Sequence, residues 1–169
     1  LYKRGWKGIN IDIDYGAIDS FNFLRSKDTN IKIAVSDTTG EAELFFYHNR
    51  AAKNTLSKEK GFDSKEIQKI KTSTLNKVIE NSIYKDKKIN FISIDVEGYE
   101  LNVLKGFDFK KYKPDLVVLE LIQEGMTEFF HQNIENIQNS EVYLYMIKHD
   151  YKLINWIHDD LVFVPQDVK

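Results

Sequence analysis

The 169-residue chain has no cysteine, only two prolines, and almost no excess of charge of either sign. Without cysteine it cannot form a disulfide, a thiolate zinc site or a cysteine nucleophile, and a reducing, cytoplasmic compartment is expected. The 24 basic and 26 acidic residues leave a net charge of −2, so no bulk positive field attracts nucleic acid or an anionic membrane. No apolar run approaches the roughly 18 residues that a transmembrane helix needs. These absences predict a soluble protein that does not bind nucleic acid.

The length suits one domain covering residues 1–169, because no repeat, linker or low-complexity tract divides it. Heavy use of lysine, isoleucine and asparagine favours a bacterial source. The chain starts at Leu1 rather than at a methionine and enters a strand-like run by Gly8. This start predicts that the sequence begins inside a larger protein.

Short β-branched runs alternate along the chain with stretches of helical periodicity. The predicted strands are 8–13, 31–36, 41–47, 89–94, 116–122, 151–156 and 161–164. The predicted helices are 15–26, a helix capped by 72–74, 97–105, 126–139 and 140–150. This order predicts a doubly wound α/β sheet, mostly parallel, with an antiparallel C-terminal hairpin. In such a sheet, ligands bind beyond the carboxyl ends of the strands.

Acidic or hydroxyl side chains stand at the end of each of the predicted parallel strands. They are Asp12, Ser36 with Asp37, Asp95 and Glu120. Asp12 could accept the two hydrogen bonds of a ribose diol, as an acid after the second strand of a nucleotide-binding sheet does. It could equally cap the helix that follows, and the residues alone leave both interpretations open.

Three carboxylates occur within the six residues Asp95–Glu100. They could complement the dipole of the following helix, with Asp95 as its N-cap. They could also contact a cofactor, act as a general base or bind a divalent metal. The four histidines have no zinc-ligand spacing, and His48 lies in a polar loop, 48–61, where it could serve as a base.

Several segments together resemble the FkbM family of S-adenosylmethionine-dependent methyltransferases. The segments are GWKGINID, IAVSDTTGEAELFF, INFISIDVEGYELNVLKGFDF, LVVLEL and the closing YKLINW and DLVFV. The most specific segment is SIDVEGYE, residues 93–100. Taken together, the segments extend the resemblance over nearly the whole chain. The resemblance implies a Rossmann-like class I methyltransferase sheet that binds S-adenosylmethionine. It also implies O-methylation of a hydroxyl on a sugar, glycan or small natural product.

The resemblance assigns cofactor-binding roles to Asp12 (ribose), Ser36 and Asp37 (adenine) and Asp95 (methionine end). Ile13 follows Asp12 where the family often has proline, so the ribose role could be shared with Asp14. The family's first strand and glycine-rich loop are expected to precede Leu1. Asp95, Glu97 and His48 are the predicted catalytic residues, and no metal is predicted; a metal-assisted alternative would use Asp95 with Glu97 or Glu120.

Two other classes of function remain open at this point. A nicotinamide-dependent oxidoreductase or epimerase would also place an acid such as Asp12 after its second strand. It would give no account of the Asp95–Glu100 cluster or of the terminal hairpin. A non-catalytic interaction domain that kept the methyltransferase fold is the third possibility.

Overall fold

The computed structural model describes residues 1–47, 54–58, 63–64, 66–121 and 133–168. A 3-10 turn at Tyr2–Arg4 precedes the first strand. The strands are β1 (Ile9–Asp12), β2 (Thr29–Lys32), β3 (Ala34–Val35), β4 (Gly40–Phe46), β5 (Glu66–Ser73), β6 (Phe91–Ile94), β7 (Leu116–Glu120), β8 (Tyr151–Ile157) and β9 (Asp160–Pro165). The helices are α1 (Tyr15–Leu24), α2 (Leu75–Glu80), α3 (Glu100–Lys105), α4 (Phe109–Tyr112), α5 (Ile134–Asn139) and α6 (Glu141–Lys148).

The first unit of the fold is the parallel pair β1–β2 with helix α1 packed on it. Asp28 joins its parts, because its carboxylate accepts from the Gly8 and Asn10 nitrogens and pairs with Arg25 at 2.8 Å. The prediction of a single strand at 31–36 is wrong. It is two strands separated by Ile33, because β2 pairs with β1 whereas β3 pairs with β5.

The second unit is a three-stranded sheet in the order β3-β5-β4. The predicted antiparallel excursion at 41–47 is confirmed by the pairing of β4 with β5. Strand β5 was not predicted, because its lysine-containing sequence, half of it exposed, has no clean apolar alternation. Of the predicted cap at 72–74, only Thr74 caps α2, accepting from the Lys77 N–H at 3.2 Å.

The third unit is a four-stranded sheet in the order β6-β7-β9-β8, and it holds most of the hydrophobic core. Strand β7 is central, as its apolar sequence predicts, and Val117 and Leu119 are fully buried in it. The predicted terminal hairpin is confirmed as the antiparallel pair β8–β9, with β8 at the edge. Helices α3 and α6 contact each other, and α6 also packs along β8.

The described helices differ from the predicted ones at two places, α3 and α4. Helix α3 begins at Glu100 rather than at residue 97, because Glu97 and Gly98 have φ values of 56° and 87° and cannot continue a right-handed helix. Helix α4, capped by Asp108, was not predicted. Of the helix predicted at 126–139, the part before 133 lies outside the described residues.

The fold is therefore a mixed α/β fold. Parallel pairing occurs at β1–β2, β3–β5 and β6–β7, and the described residues form three hydrogen-bonded sheets. The single doubly wound sheet stays a prediction. Within the described ranges, no helix is long and apolar enough to cross a lipid bilayer.

Candidate functional site

Three carboxyl groups meet beyond the carboxyl ends of the neighbouring parallel strands β6 and β7. Asp95 follows β6, Glu120 is the last residue of β7, and Glu97 lies in the loop between β6 and α3. One carboxylate oxygen from each lies within 4.8 Å of the other two. Such spacing suits a shared proton or a divalent cation, and exposed acids also adopt it without either. We call Asp95, Glu97 and Glu120 the acid cluster.

Glu120 is the member of the acid cluster whose pKa is shifted by its surroundings. Burial, followed by the negative charges of Asp95, Glu97 and Glu100, raises the pKa of the Glu120 carboxyl from 4.5 to about 8. Its Oε2 atom is buried and has no hydrogen-bond partner among the described residues. At neutral pH, Glu120 therefore remains largely protonated, and the cluster carries less negative charge than its three acids suggest.

The loop that carries Asp95 and Glu97 is fastened to the protein by Glu100, the first residue of α3. Glu100 is only 4% exposed, and its Oε1 atom accepts from the Val96 and Gly98 N–H groups, both at 3.1 Å. Burial raises the pKa of Glu100, and these backbone hydrogen bonds oppose the rise. The N-cap residue of α3 is Tyr99, not Asp95, so the capping interpretation of Asp95 is wrong.

Ser36 joins the end of β3 to Tyr99, the residue between this loop and α3. The Ser36 hydroxyl lies 3.0 Å from Asp37 Oδ1 and 3.3 Å from the Tyr99 hydroxyl. Ser36 is 3% exposed, whereas Asp37 is exposed. Behind them Gly106 ends α3, and a Cβ at that position would lie 2.3 Å from the Ser36 carbonyl oxygen. The β3 end and the β6–α3 loop are thus packed together.

Asp12 ends β1, as predicted, but it does not cap α1. The capping residue is Asp14, whose Oδ1 accepts from the Ala17 N–H at 3.0 Å. The Oδ1 atom of Asp12 accepts from the Asp14 N–H at 2.8 Å. One Asp12 oxygen therefore fixes the strand-to-helix turn, and Oδ2 of this half-buried carboxylate has no hydrogen-bond partner among the described residues.

The structure brings together some of the predicted site residues and not others. Asp95 and Glu97 lie close together, Ser36 reaches their loop through Tyr99, and Asp37 is joined to Ser36. His48 lies outside the described residues. Sequence reasoning named Glu100 in the carboxylate cluster but missed its hydrogen bonds to the loop backbone. It missed Thr55 altogether, whose hydroxyl donates to the Glu97 carbonyl oxygen at 2.8 Å. Thr55 could not be found from the sequence, since 42 residues separate the two.

The fold and the site define a mixed α/β domain with a carboxyl cluster at the ends of neighbouring parallel strands. Comparison with protein families gives a match to the methyltransferase FkbM domain over residues 1–153. The chain belongs to this family of methyltransferase domains.

A solved structure, the methyltransferase FkbM from Methylobacillus flagellatus KT, resembles the chain with 15% sequence identity and a TM-score of 0.48. The similarity covers 92% of this chain and 36% of that one, so the chain spans about a third of that protein's length. No curated protein matches the chain.

Proposed function

We propose that the protein is an S-adenosylmethionine-dependent methyltransferase that transfers a methyl group to a hydroxyl on a sugar, glycan or small natural product. Membership of the FkbM family supports the reaction class. The observation that carries the proposal is the acid cluster, which lies where α/β sheets bind their ligands. The proposed acceptor is a small molecule or glycan, and nucleic acid is not expected.

The strand pattern supports a doubly wound sheet completed by one further strand. Among the described residues, β1 pairs only with β2 and β6 only with β7, so each has an open edge. Ile9 of β1 packs against the core cluster that includes Ile94 of β6. We infer that a parallel strand fits between these edges, carrying the glycine-rich loop that the family places after its first strand.

The residues proposed to hold the methyl donor differ in whether they have a polar atom available to bind it. Asp12 fits a ribose, because its Oδ2 atom remains for the hydroxyls while Oδ1 fixes the turn. Ser36 fits poorly, since its buried hydroxyl is already engaged by Asp37 and Tyr99. Asp37, which is exposed, is the better adenine contact at this strand end. Asp95, also exposed, stands at the proposed methionine end.

When bound, the donor supplies an electrophilic methyl group on a sulfonium ion. The chain's own residues then have two tasks, which are to orient the acceptor hydroxyl and to take its proton. Asp95 and Glu97 can do both, because each is a carboxylate beside the donor's proposed position. Glu120, which keeps its own proton at neutral pH, adds no third negative charge beside them. His48 stays a proposed third base.

Calorimetric titration of the full-length protein with S-adenosylhomocysteine and, separately, with NADH tests the donor. Binding of S-adenosylhomocysteine and not NADH is expected, with Asp12→Asn weakening it about tenfold, as the loss of one charged hydrogen bond predicts. Binding of NADH alone would support the oxidoreductase alternative. Binding of neither would favour a non-catalytic domain.

The catalytic role is tested by Asp95→Asn against a panel of sugar and glycan acceptors, with release of S-adenosylhomocysteine as the readout. Loss of the proton acceptor is expected to lower kcat about a hundredfold. The matched control is Asp86→Asn, an exposed carboxylate in the loop that precedes β6, at the opposite end of that strand. Unchanged kcat in Asp95→Asn would remove Asp95 from the mechanism.

A further inference from the structure

The β6–α3 loop contains two consecutive residues in the left-handed region of backbone space. Gly98, with φ of 87°, adopts that conformation without steric cost. Glu97, with φ of 56°, has a side chain and does not. A non-glycine residue keeps such a conformation only when its surroundings hold it there. The question is which contacts hold Glu97.

The first contact comes from Glu100. Its Oε1 atom accepts from the N–H groups of Val96 and Gly98, the two residues that flank Glu97, each at 3.1 Å. Both bonds end on one oxygen of a side chain that is almost fully buried. Glu100 therefore supplies a single acceptor oxygen that bridges the two amides on either side of Glu97.

The second contact comes from Thr55, which is 2% exposed. Its hydroxyl donates to the Glu97 carbonyl oxygen at 2.8 Å and accepts from the Ser57 N–H at 3.0 Å. The Thr55 backbone is held by an antiparallel bridge to Phe45 in β4, with N–H to oxygen distances of 2.9 and 3.3 Å. Glu97 is thereby tied to a separate sheet.

We propose that Thr55 and Glu100 are positioning residues that hold Glu97 in its left-handed conformation and so keep its carboxylate in the acid cluster. The role of that cluster in methyl transfer rests on the proposed function. The segment 54–57 then belongs to the wall of the site, and a displacement of this segment moves Glu97. Neither residue touches the reacting atoms.

The first test is the carboxyl titration of Glu120, followed by carbon-13 NMR in the protein without donor or acceptor. Asp95, Glu97 and Glu100 are the charged groups that face Glu120. Thr55→Val removes the hydroxyl but keeps the branched shape, and Thr55→Ser keeps the hydroxyl. Glu97→Gln removes the neighbouring charge completely, and it therefore sets the largest decrease in the pKa of Glu120 that is to be expected.

In Thr55→Val, the pKa of Glu120 is expected to fall by about half a unit, in the same direction as in Glu97→Gln. Thr55→Ser should titrate like the wild type. An unshifted titration in folded Thr55→Val, or an equal shift in Thr55→Ser, would overturn the role of Thr55. A merely structural defect would lower stability without moving this titration.

The second test compares Glu100→Gln with Glu100→Asp and decides the proposal even where Thr55→Val does not fold. Glutamine keeps the reach of the acceptor oxygen without its charge, whereas aspartate keeps the charge and is one methylene short. Glutamine should preserve the left-handed backbone chemical shifts of Glu97 and the slow exchange of the Val96 and Gly98 amides. Aspartate should lose both, and the opposite pattern would refute the proposal. Absence of S-adenosylhomocysteine binding in the same protein would count against the proposed function alone.

Discussion

Glu120→Gln is the perturbation that tests the electrostatics of the acid cluster most directly. It replaces a carboxyl group that is protonated in the fold by an amide of nearly the same size that never ionises. At low pH the two side chains are both neutral, and the stabilities of wild type and variant should be close. They should diverge as the pH rises, because only the wild-type group can ionise in the unfolded chain.

The sign and size follow from the pKa of Glu120, which is raised in the fold from 4.5 to about 8. The folded protein then retains a proton that the unfolded chain releases, so stability is lost as the pH rises through this interval. If the whole difference between these two pKa values acted on stability, the change in the free energy of unfolding would be at most about 5 kcal/mol. Because the side chain is partly exposed, solvent screening reduces this, and about 1–2 kcal/mol is expected.

The assay is urea denaturation of both proteins at several values between pH 4.5 and pH 8.5. Glu120→Gln should become more stable than wild type by about 1–2 kcal/mol towards the alkaline end. Glu43→Gln, which removes an exposed carboxylate in β4, is the matched control. A stability difference for Glu120→Gln that stays flat over this range would refute the raised pKa and the burial that causes it.

Two further predictions concern the packing around the site. Gly106→Ala would put a Cβ 2.3 Å from the Ser36 carbonyl oxygen and should destabilise the fold by about 2–3 kcal/mol in urea denaturation. Gly40→Ala, where a Cβ meets no atom within 4 Å, is its control, and equal effects of the two would contradict the packing argument. Asp28→Ala removes a fully buried carboxylate from Arg25 and from the Gly8 N–H, and a loss of about 2–4 kcal/mol in thermal unfolding is expected. A loss below about 0.5 kcal/mol, the size of an exposed ion pair, would show that Asp28 does not join β1 to α1.

The elements with the strongest local pattern were predictable. Strand β7 is apolar along its length and proved central, and the hairpin β8–β9 follows from two short apolar runs around a polar turn. Thr74, within the cap predicted at 72–74, could be identified from the sequence because its side chain accepts from a residue only three positions away. Strand β5 escaped prediction because its pairing with β3 and β4, rather than its own sequence, stabilises it.

The sequence by itself determined the mixed α/β class, the family resemblance and the positions of the acids at the strand ends, because these depend on local pattern and order along the chain. Only the tertiary structure decided which acids meet. Glu120 joins Asp95 and Glu97 because β6 and β7 are neighbours in register, and the resulting burial and repulsion raise its pKa. The hydrogen bond from Thr55 to Glu97 likewise depends on a contact across 42 residues, which no local pattern encodes.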